Sequence, residues 1–333
     1  MRINSKVLFF AFVSMFVMSS CGNENDITQS WSEQTSELQV IRDLEDVNAS
    51  LLSSSPVLTT RGKKNWGDMT NLEKATVVAA DYKGACKGGE CGSQIGKYVG
   101  LALGSPITGQ VFGAALGAIG CGACASWLVW PENLKDDGVK KDNGNSIPSN
   151  KVPAALKACR SLVNSDLTVN YNAVTVANEQ VSEKLRVNDT LVKITNLDDT
   201  SLTVGRLHNI ILSVLDGAVA LAENNSSINC QSPIMDSLIN NQEFIDSCNV
   251  IALKASEGNV INSDRTVSRV MELFQQVLEN YSSKTSDVAY IISKYTDVIN
   301  HSNDLTDKQK EYIGYGLATA LYSAKYWESE FNE

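Results

Sequence analysis

Six glycines at strict four-residue intervals, Gly84, Gly88, Gly92, Gly96, Gly100 and Gly104, constrain what this chain can fold into more than any other feature. After Ser105-Pro106-Ile107-Thr108 the ladder resumes with Gly109, Gly113 and Gly117, and Cys121 and Ala125 continue the same frame. With only 22 glycines in 333 residues, such regularity is not an effect of composition. A helix gives the spacing meaning, because residues four apart lie along one sloping row of its surface. Each glycine costs a helix in water about 1 kcal/mol relative to Ala, so six in one helix cost on the order of 6 kcal/mol that close packing must offset. The two rows are therefore expected to meet in a helical hairpin turning at Pro106. A four-residue row drifts by about 40° per step, so the facing rows are expected to cross as right-handed pairs of small residues do.

The two helices differ away from the glycine row. The second, from Ile107 to Trp130, has no charged residue and would be about 36 Å long, enough to cross a hydrocarbon core. On the first, Lys83, Lys87, Glu90, Gln94 and Lys97 form a polar stripe that must face water, a lumen or another polar surface. Two forms remain open. One is a water-soluble hairpin packed on the rest of the protein or on copies of itself; the other inserts into a membrane, where hiding the lysines would favour an oligomeric pore. Trp127 and Trp130 suit a membrane interface or the rim of a core equally. The segment resembles the glycine-zipper regions of bacterial envelope lipoproteins and surface antigens.

The N-terminus has the layout of a secretory signal: Arg2 and Lys6, an apolar run from Val7 to Met18, then Ser19 and Ser20 before Cys21. The run is too short to span a bilayer comfortably. Met18-Ser19-Ser20-Cys21 resembles a lipobox, which implies cleavage before Cys21 and lipid attachment to it. The following Gly22, Asn23, Glu24, Asn25 and Asp26 resemble the start of outer-membrane lipoproteins common in Bacteroidetes. The implied location is lipid-anchored at the outer membrane, in the periplasm or on the surface. The chain carries 28 Lys and Arg against 38 Asp and Glu, a net charge of −10 that becomes −12 once Arg2 and Lys6 leave. That balance argues against nucleic acid as a partner. Expected partners are the membrane through the anchor, further copies of the chain, and a protein or glycan of unknown identity.

The chain divides by composition into a signal (1–20), a polar tether (21–60), the hairpin (61–131), a Lys, Asp, Asn and Gly-rich linker (132–150) and an α-helical domain (151–333). Within the tether, Glu37 to Leu52 has helical spacing of Leu38, Ile41, Leu44, Val47 and Leu51. In the last segment, four stripes read as amphipathic helices: Leu207 to Leu221, Val267 to Tyr281, Val288 to Ile299 and Ile313 to Ala324. Thr306 and Gln309 form a capping box at the start of the last one. Leu167-Thr168-Val169 and Leu191-Val192-Lys193-Ile194, with a turn at Asn196 to Asp199, allow a small β-hairpin, while Val174 to Leu185 fits a helix equally. The expected fold class is mainly α: a glycine-zipper hairpin followed by a C-terminal helical domain with room for that small β-hairpin.

Chemistry is sparse. Beyond Cys21 there are Cys86, Cys91, Cys121, Cys124, Cys159, Cys230 and Cys248, an odd number in a compartment that permits disulfides. Folding about residue 106 would bring Cys86 and Cys91 near Cys124 and Cys121, as two cross-links, a four-thiolate metal site, or small residues that simply pack. Cys121-Gly122-Ala123-Cys124 has redox-dithiol spacing, but inside the ladder that role is disfavoured. The two histidines, His208 and His301, belong to no recognisable catalytic motif, and His208 is the better candidate. Asp198 and Asp199 read as a solvated turn before a calcium site. Tyr322, Tyr326 and Trp327 follow helical spacing, as core or as a ligand cleft. No residues are assigned to catalysis, and neither metal nor cofactor is expected. The functional expectation is a non-enzymatic binding or interaction protein whose ladder mediates self-association or docking. The rival is a secreted membrane-active effector, resembling bacteriocins and toxins, whose hairpin inserts and oligomerises.

Overall fold

The computed structural model describes residues 38–53, 71–129, 151–222, 232–259, 264–281 and 284–330. The expected signal, the expected lipid-attachment residue Cys21, most of the tether, the linker, Trp130 and Cys230 lie outside them. The described chain is mainly α-helical with one small two-stranded sheet.

Helix α1 (Gln39–Ser53) comes first, then the hairpin of α2 (Asn71–Ala102) and α3 (Pro106–Val129). After α4 (Lys151–Leu162) come strand β1 (Val174–Val176) and the short helices α5 (Glu179–Lys184) and α6 (Asp189–Thr195). Helix α7 (Asp199–Leu215) leads into β2 (Val219–Leu221), which pairs antiparallel with β1 so that Thr175 faces Ala220. Helices α8 (Pro233–Ile239), α9 (Gln242–Ser256), α10 (Arg265–Asn280), α11 (Thr285–His301) and α12 (Asp307–Glu330) complete the fold.

The hairpin is the central post of this arrangement. Helix α2 packs against α8, α9, α10 and α12, and α3 against α4, α7, α8, α9 and α12. Helix α3 is apolar on all sides, so it is stable in water only where it is covered on all sides. Its residues from Phe112 to Ser126 are buried accordingly. The surrounding helices supply one apolar stripe each; α10, for example, buries Val267, Val270, Met271, Phe274 and Leu278 and turns its charges outward.

Two expectations about organisation are corrected. The hairpin and the C-terminal helices do not form separate units, because residues from both sides of the 132–150 segment share one hydrophobic core. Neither of two faces, the hairpin's flanks or the sheath's stripes, can be buried without the other. The helix expected in the tether forms at Gln39–Ser53, but it is docked rather than free. Val40, Ile41, Leu44 and Leu51 are buried against α10 and α11. Asn48 fixes its register by donating to the Leu273 carbonyl at 2.8 Å and accepting from the Tyr295 hydroxyl at 2.8 Å.

The small sheet also differs from expectation. Residues 191–194 lie in α6, while β1 takes its partner from the segment after α7. The stretch from Val174 to Leu185 is strand first and helix afterwards. Asn188 and the left-handed Asn196 cap α6 at its two ends, so local capping outweighs the β-propensity of its Val and Ile. At α12 the expected capping box forms, with Gln309 N donating to Thr306 Oγ1 at 3.3 Å and Thr306 N to Gln309 Oε1 at 2.7 Å.

Candidate functional site

The hairpin is the feature most specific to this chain, and its geometry follows from the ladder. A Cβ placed on Gly88 would overlap the carbonyl of Gly117, one on Gly92 that of Gly113, and one on Gly96 that of Gly109; the reverse substitutions clash in the same way. Gly84 faces the Cys121 carbonyl and Gly100 faces that of Ser105. These five rungs put each glycine Cα–H against a carbonyl oxygen, a contact worth about 0.5–1 kcal/mol. Keeping a drifting four-residue row in contact over so many rungs requires the two helices to coil around each other rather than touch at one point.

Gly104 is the exception among the nine ladder residues. It has φ of +79° with nothing within 4 Å of a Cβ placed there, so it shapes the turn and packs nothing. The turn occupies Leu103 to Ser105, with Ser105 N donating to the Gly100 carbonyl at 2.7 Å, and Pro106 opens α3. Proline suits a first helical position, where its missing N–H has no partner to lose.

The polar stripe of α2 meets protein along most of its length. Lys83 donates from Nζ to the carbonyl of Gly258, at the C-terminal end of α9, at 2.9 Å. Burial lowers its pKa, opposed by the carboxylates of Glu272 and Glu279. Lys87 and Glu90 form a buried pair at 3.2 Å. Only at the far end does the stripe reach solvent, where Lys97 is exposed. Helix α3 is long and apolar enough to cross a bilayer, and 83% of its apolar window is covered by the rest of the protein.

His208 on α7 lies across from Asp81 on α2, with Nε2 3.2 Å from Oδ2 and both side chains fully buried. The separation is that of a contact, but its angles do not make a well-formed hydrogen bond, leaving both Asp81 carboxylate oxygens without a conventional donor. The other ring nitrogen of His208 lies 3.0 Å from Asn209 Oδ1. Asn209 Nδ2 in turn donates to the carbonyls of Lys184 and Tyr322, both at 2.9 Å. Ser126, Thr319 and Ser323 add further buried hydroxyls with no hydrogen-bond partner of their own. The pair thus joins the hairpin to α7, and through Asn209 to α12, in the interior. His301 is exposed, 2.7 Å from the Asp297 carbonyl.

Among the described residues, the six cysteines are free thiols and all are buried. Of the three arrangements open to the hairpin cysteines, the two cross-links are not formed, and no group of three or more His, Cys, Asp or Glu among the described residues is placed to hold a metal. The rungs explain the first point: Gly84 opposite Cys121 sets the pivot at residues 102–103, a few residues before Pro106. Cys86 meets Tyr82 and Gly316 instead. Cys121 lies beside Cys248 of α9 and near Cys91 and Cys124, and Cys159 of α4 also approaches Cys124 and Cys248. Burial raises the pKa of Cys86, Cys121 and Cys124 strongly and pushes Cys159 up to about 12. None is a poised nucleophile.

The remaining candidates resolve as structural. Asp198 caps α7, accepting from Ser201 N at 2.8 Å and Ser201 Oγ at 2.6 Å. Tyr322, Tyr326 and Trp327 are core, with Arg206 donating to the Tyr322 hydroxyl at 3.1 Å and Tyr326 donating to Asp216 at 2.7 Å. An open groove of about 590 Å³ lies beside α12, lined by Asp198, Asp307, Lys310, Glu311 and Tyr315. Sequence reasoning missed Asp81 and the close approach of α7 to α12, where a Cβ on Gly205 would meet the Ala318 carbonyl. Gly314 and Ala318, four apart on α12, carried that signal, whereas Gly316 faces Cys86 and Tyr82 of α2. Comparison with protein-family models, curated protein sequences and solved structures finds no match.

Proposed function

We propose that this chain is a lipid-anchored outer-membrane envelope protein with a binding rather than a catalytic role, and that its glycine hairpin docks the surrounding helices instead of joining copies of the chain. The observation that supports docking is that both glycine rows are spent on each other and the flanks of the hairpin are closed by helices of the same chain. A row already filled by its partner helix has no face left for a second protomer. The complete burial of Asp81 and His208 favours a structural duty for the groups best suited to proton transfer. Anchoring rests on the resemblance of Met18-Ser19-Ser20-Cys21 to a lipobox.

Membrane fractionation with mass spectrometry of the N-terminal peptide tests the anchor. The expected result is acylated Cys21 in the outer-membrane fraction and a soluble Cys21→Ser protein; a chain cleaved elsewhere and found soluble overturns the anchor. Dye-filled vesicles test the docking role. The mature chain without its lipid should leave them intact, and leakage would favour the membrane-active effector, since α3 would then have left its sheath.

A further inference from the structure

The sheath stops short of the hairpin's end. From Lys97 to Thr108 nearly every side chain faces solvent, and the large ones are apolar: Tyr98 is 41% exposed, Leu101 55%, Leu103 47% and Ile107 77%. Among the described residues the other exposed large hydrophobics, Leu52, Tyr171, Ile194, Val250 and Tyr290, are scattered over separate elements. Isolated ones need no explanation, whereas four around one turn make a patch.

Charge gives the patch its character. No Asp or Glu occurs from Cys91 to Pro131, in a chain with 38 of them, and the one charged residue of that stretch is Lys97, at the edge of the patch. Leu103 N, Gly104 N and Ser105 N donate to the carbonyls of Gly100 and Leu101, and Gly109 N to that of Ser105, so these amides are paired within the turn.

We propose that this tip is a membrane-contact site, in which Tyr98, Leu101, Leu103 and Ile107 enter the interfacial region of a lipid bilayer while Lys97 meets lipid phosphates. A second copy of the chain is the weaker occupant, because four partly exposed side chains offer on the order of 400 Å², half of what each partner in a stable complex contributes. The proposal deepens the anchored reading and rests on it for delivery to a membrane. The 18 residues from Cys21 to Gln39 span up to about 60 Å when extended, enough for an anchored protein to set its tip on the same bilayer.

Flotation with vesicles of phosphatidylcholine and phosphatidylglycerol tests the site, using the mature chain made without its lipid. Wild type should float with the vesicles. Ile107→Asp should weaken that binding at least about tenfold without harming the fold, because an aspartate in the first turn of α3 suits the helix dipole. Leu101→Asp is the second variant, and helicity and melting temperature are checked for both. Lys97→Gln should lower binding about threefold on vesicles containing phosphatidylglycerol and leave it unchanged on phosphatidylcholine alone. Failure of wild type to float, or equal flotation of a folded Ile107→Asp protein, overturns the proposal. So does a concentration-dependent dimer that Ile107→Asp abolishes in the absence of lipid. Flotation without leakage upholds both the tip and the docked hairpin, leakage overturns the docked hairpin alone, and absence of binding overturns the tip alone.

Discussion

The two ends of the hairpin are built from the same pair of helices with the same four-residue repeat, yet they live in different solvents. Around the rungs from Gly84–Cys121 to Gly92–Gly113, the flanks are covered by α4, α7, α8, α9, α10 and α12. Around the Gly100–Ser105 rung, Leu101, Leu103 and Ile107 meet water. The glycine row determines how the two backbones approach; it has no influence on what covers their other faces. A ladder is therefore evidence of a tight helix pair and is silent about whether the pair sits in a core, in a membrane or at an interface.

The largest effect expected from breaking this contrast is at the rungs. Gly92→Leu or Gly113→Leu puts a side chain where the opposing carbonyl already stands, and backbone cannot step aside as a rotamer can. Either change should abolish cooperative unfolding and native helicity in circular dichroism, well beyond the 1–3 kcal/mol of ordinary overpacking. A native-like melt would remove the rungs from the account.

Alkaline pH separates the ends next. Cys86, Cys121, Cys124 and Cys159 all lie in the sheathed part, and burial raises each thiol pKa above its unfolded value. Their contribution to stability is complete below the unfolded pKa and is lost as pH rises above it, at about 1.4 kcal/mol per thiol per pH unit from roughly pH 9. Lys83, with its lowered pKa, works in the opposite sense and offsets a single thiol at most. Denaturant midpoints should fall steeply above pH 9, and a flat profile to pH 10 would contradict the sealed interior.

His208→Leu should destabilise by about 1–3 kcal/mol, because the fully buried Asp81 carboxyl would lose the imidazole it faces. Adding Asp81→Leu should recover much of that loss, and a double mutant no better than the single one would show that the pair is not coupled. The tip should give the smallest changes. Gly104→Ala carries the strain of φ +79° and should cost about 1 kcal/mol, while Leu103→Asp should stay within about 0.5 kcal/mol. A tip substitution as costly as a rung substitution would erase the distinction between the two ends.

Much of the hairpin was legible because its signal is local and periodic. Eight of the nine ladder glycines pack as their spacing implies, and Gly104 alone keeps the spacing without the contact, since the helix has already ended at Ala102. The amphipathic stripes on α10, α11 and α12 were legible for the same reason, and that on α7 as far as Val214, because burial on one face writes a 3.6-residue period; its expected continuation to Leu221 is strand β2 instead. The Asp81–His208 contact was not, because the two residues are 127 positions apart and neither breaks the pattern of its own helix. The association of Cys121 with Cys248 was hidden in the same way.

By itself, then, the amino-acid sequence determined that two small-residue rows would pair, that the second hairpin helix would need an apolar environment on all sides, and that amphipathic helices would follow it. Local spacing suffices for these, because each is a demand made by one segment on its surroundings. Only the tertiary structure decided how the demands were met. It placed the C-terminal helices around the hairpin instead of beside it, turned Lys83 of the polar stripe onto the end of α9, and left one apolar turn uncovered. Those outcomes depend on which distant faces fit together, and shape complementarity between faces has no period that a single segment can record.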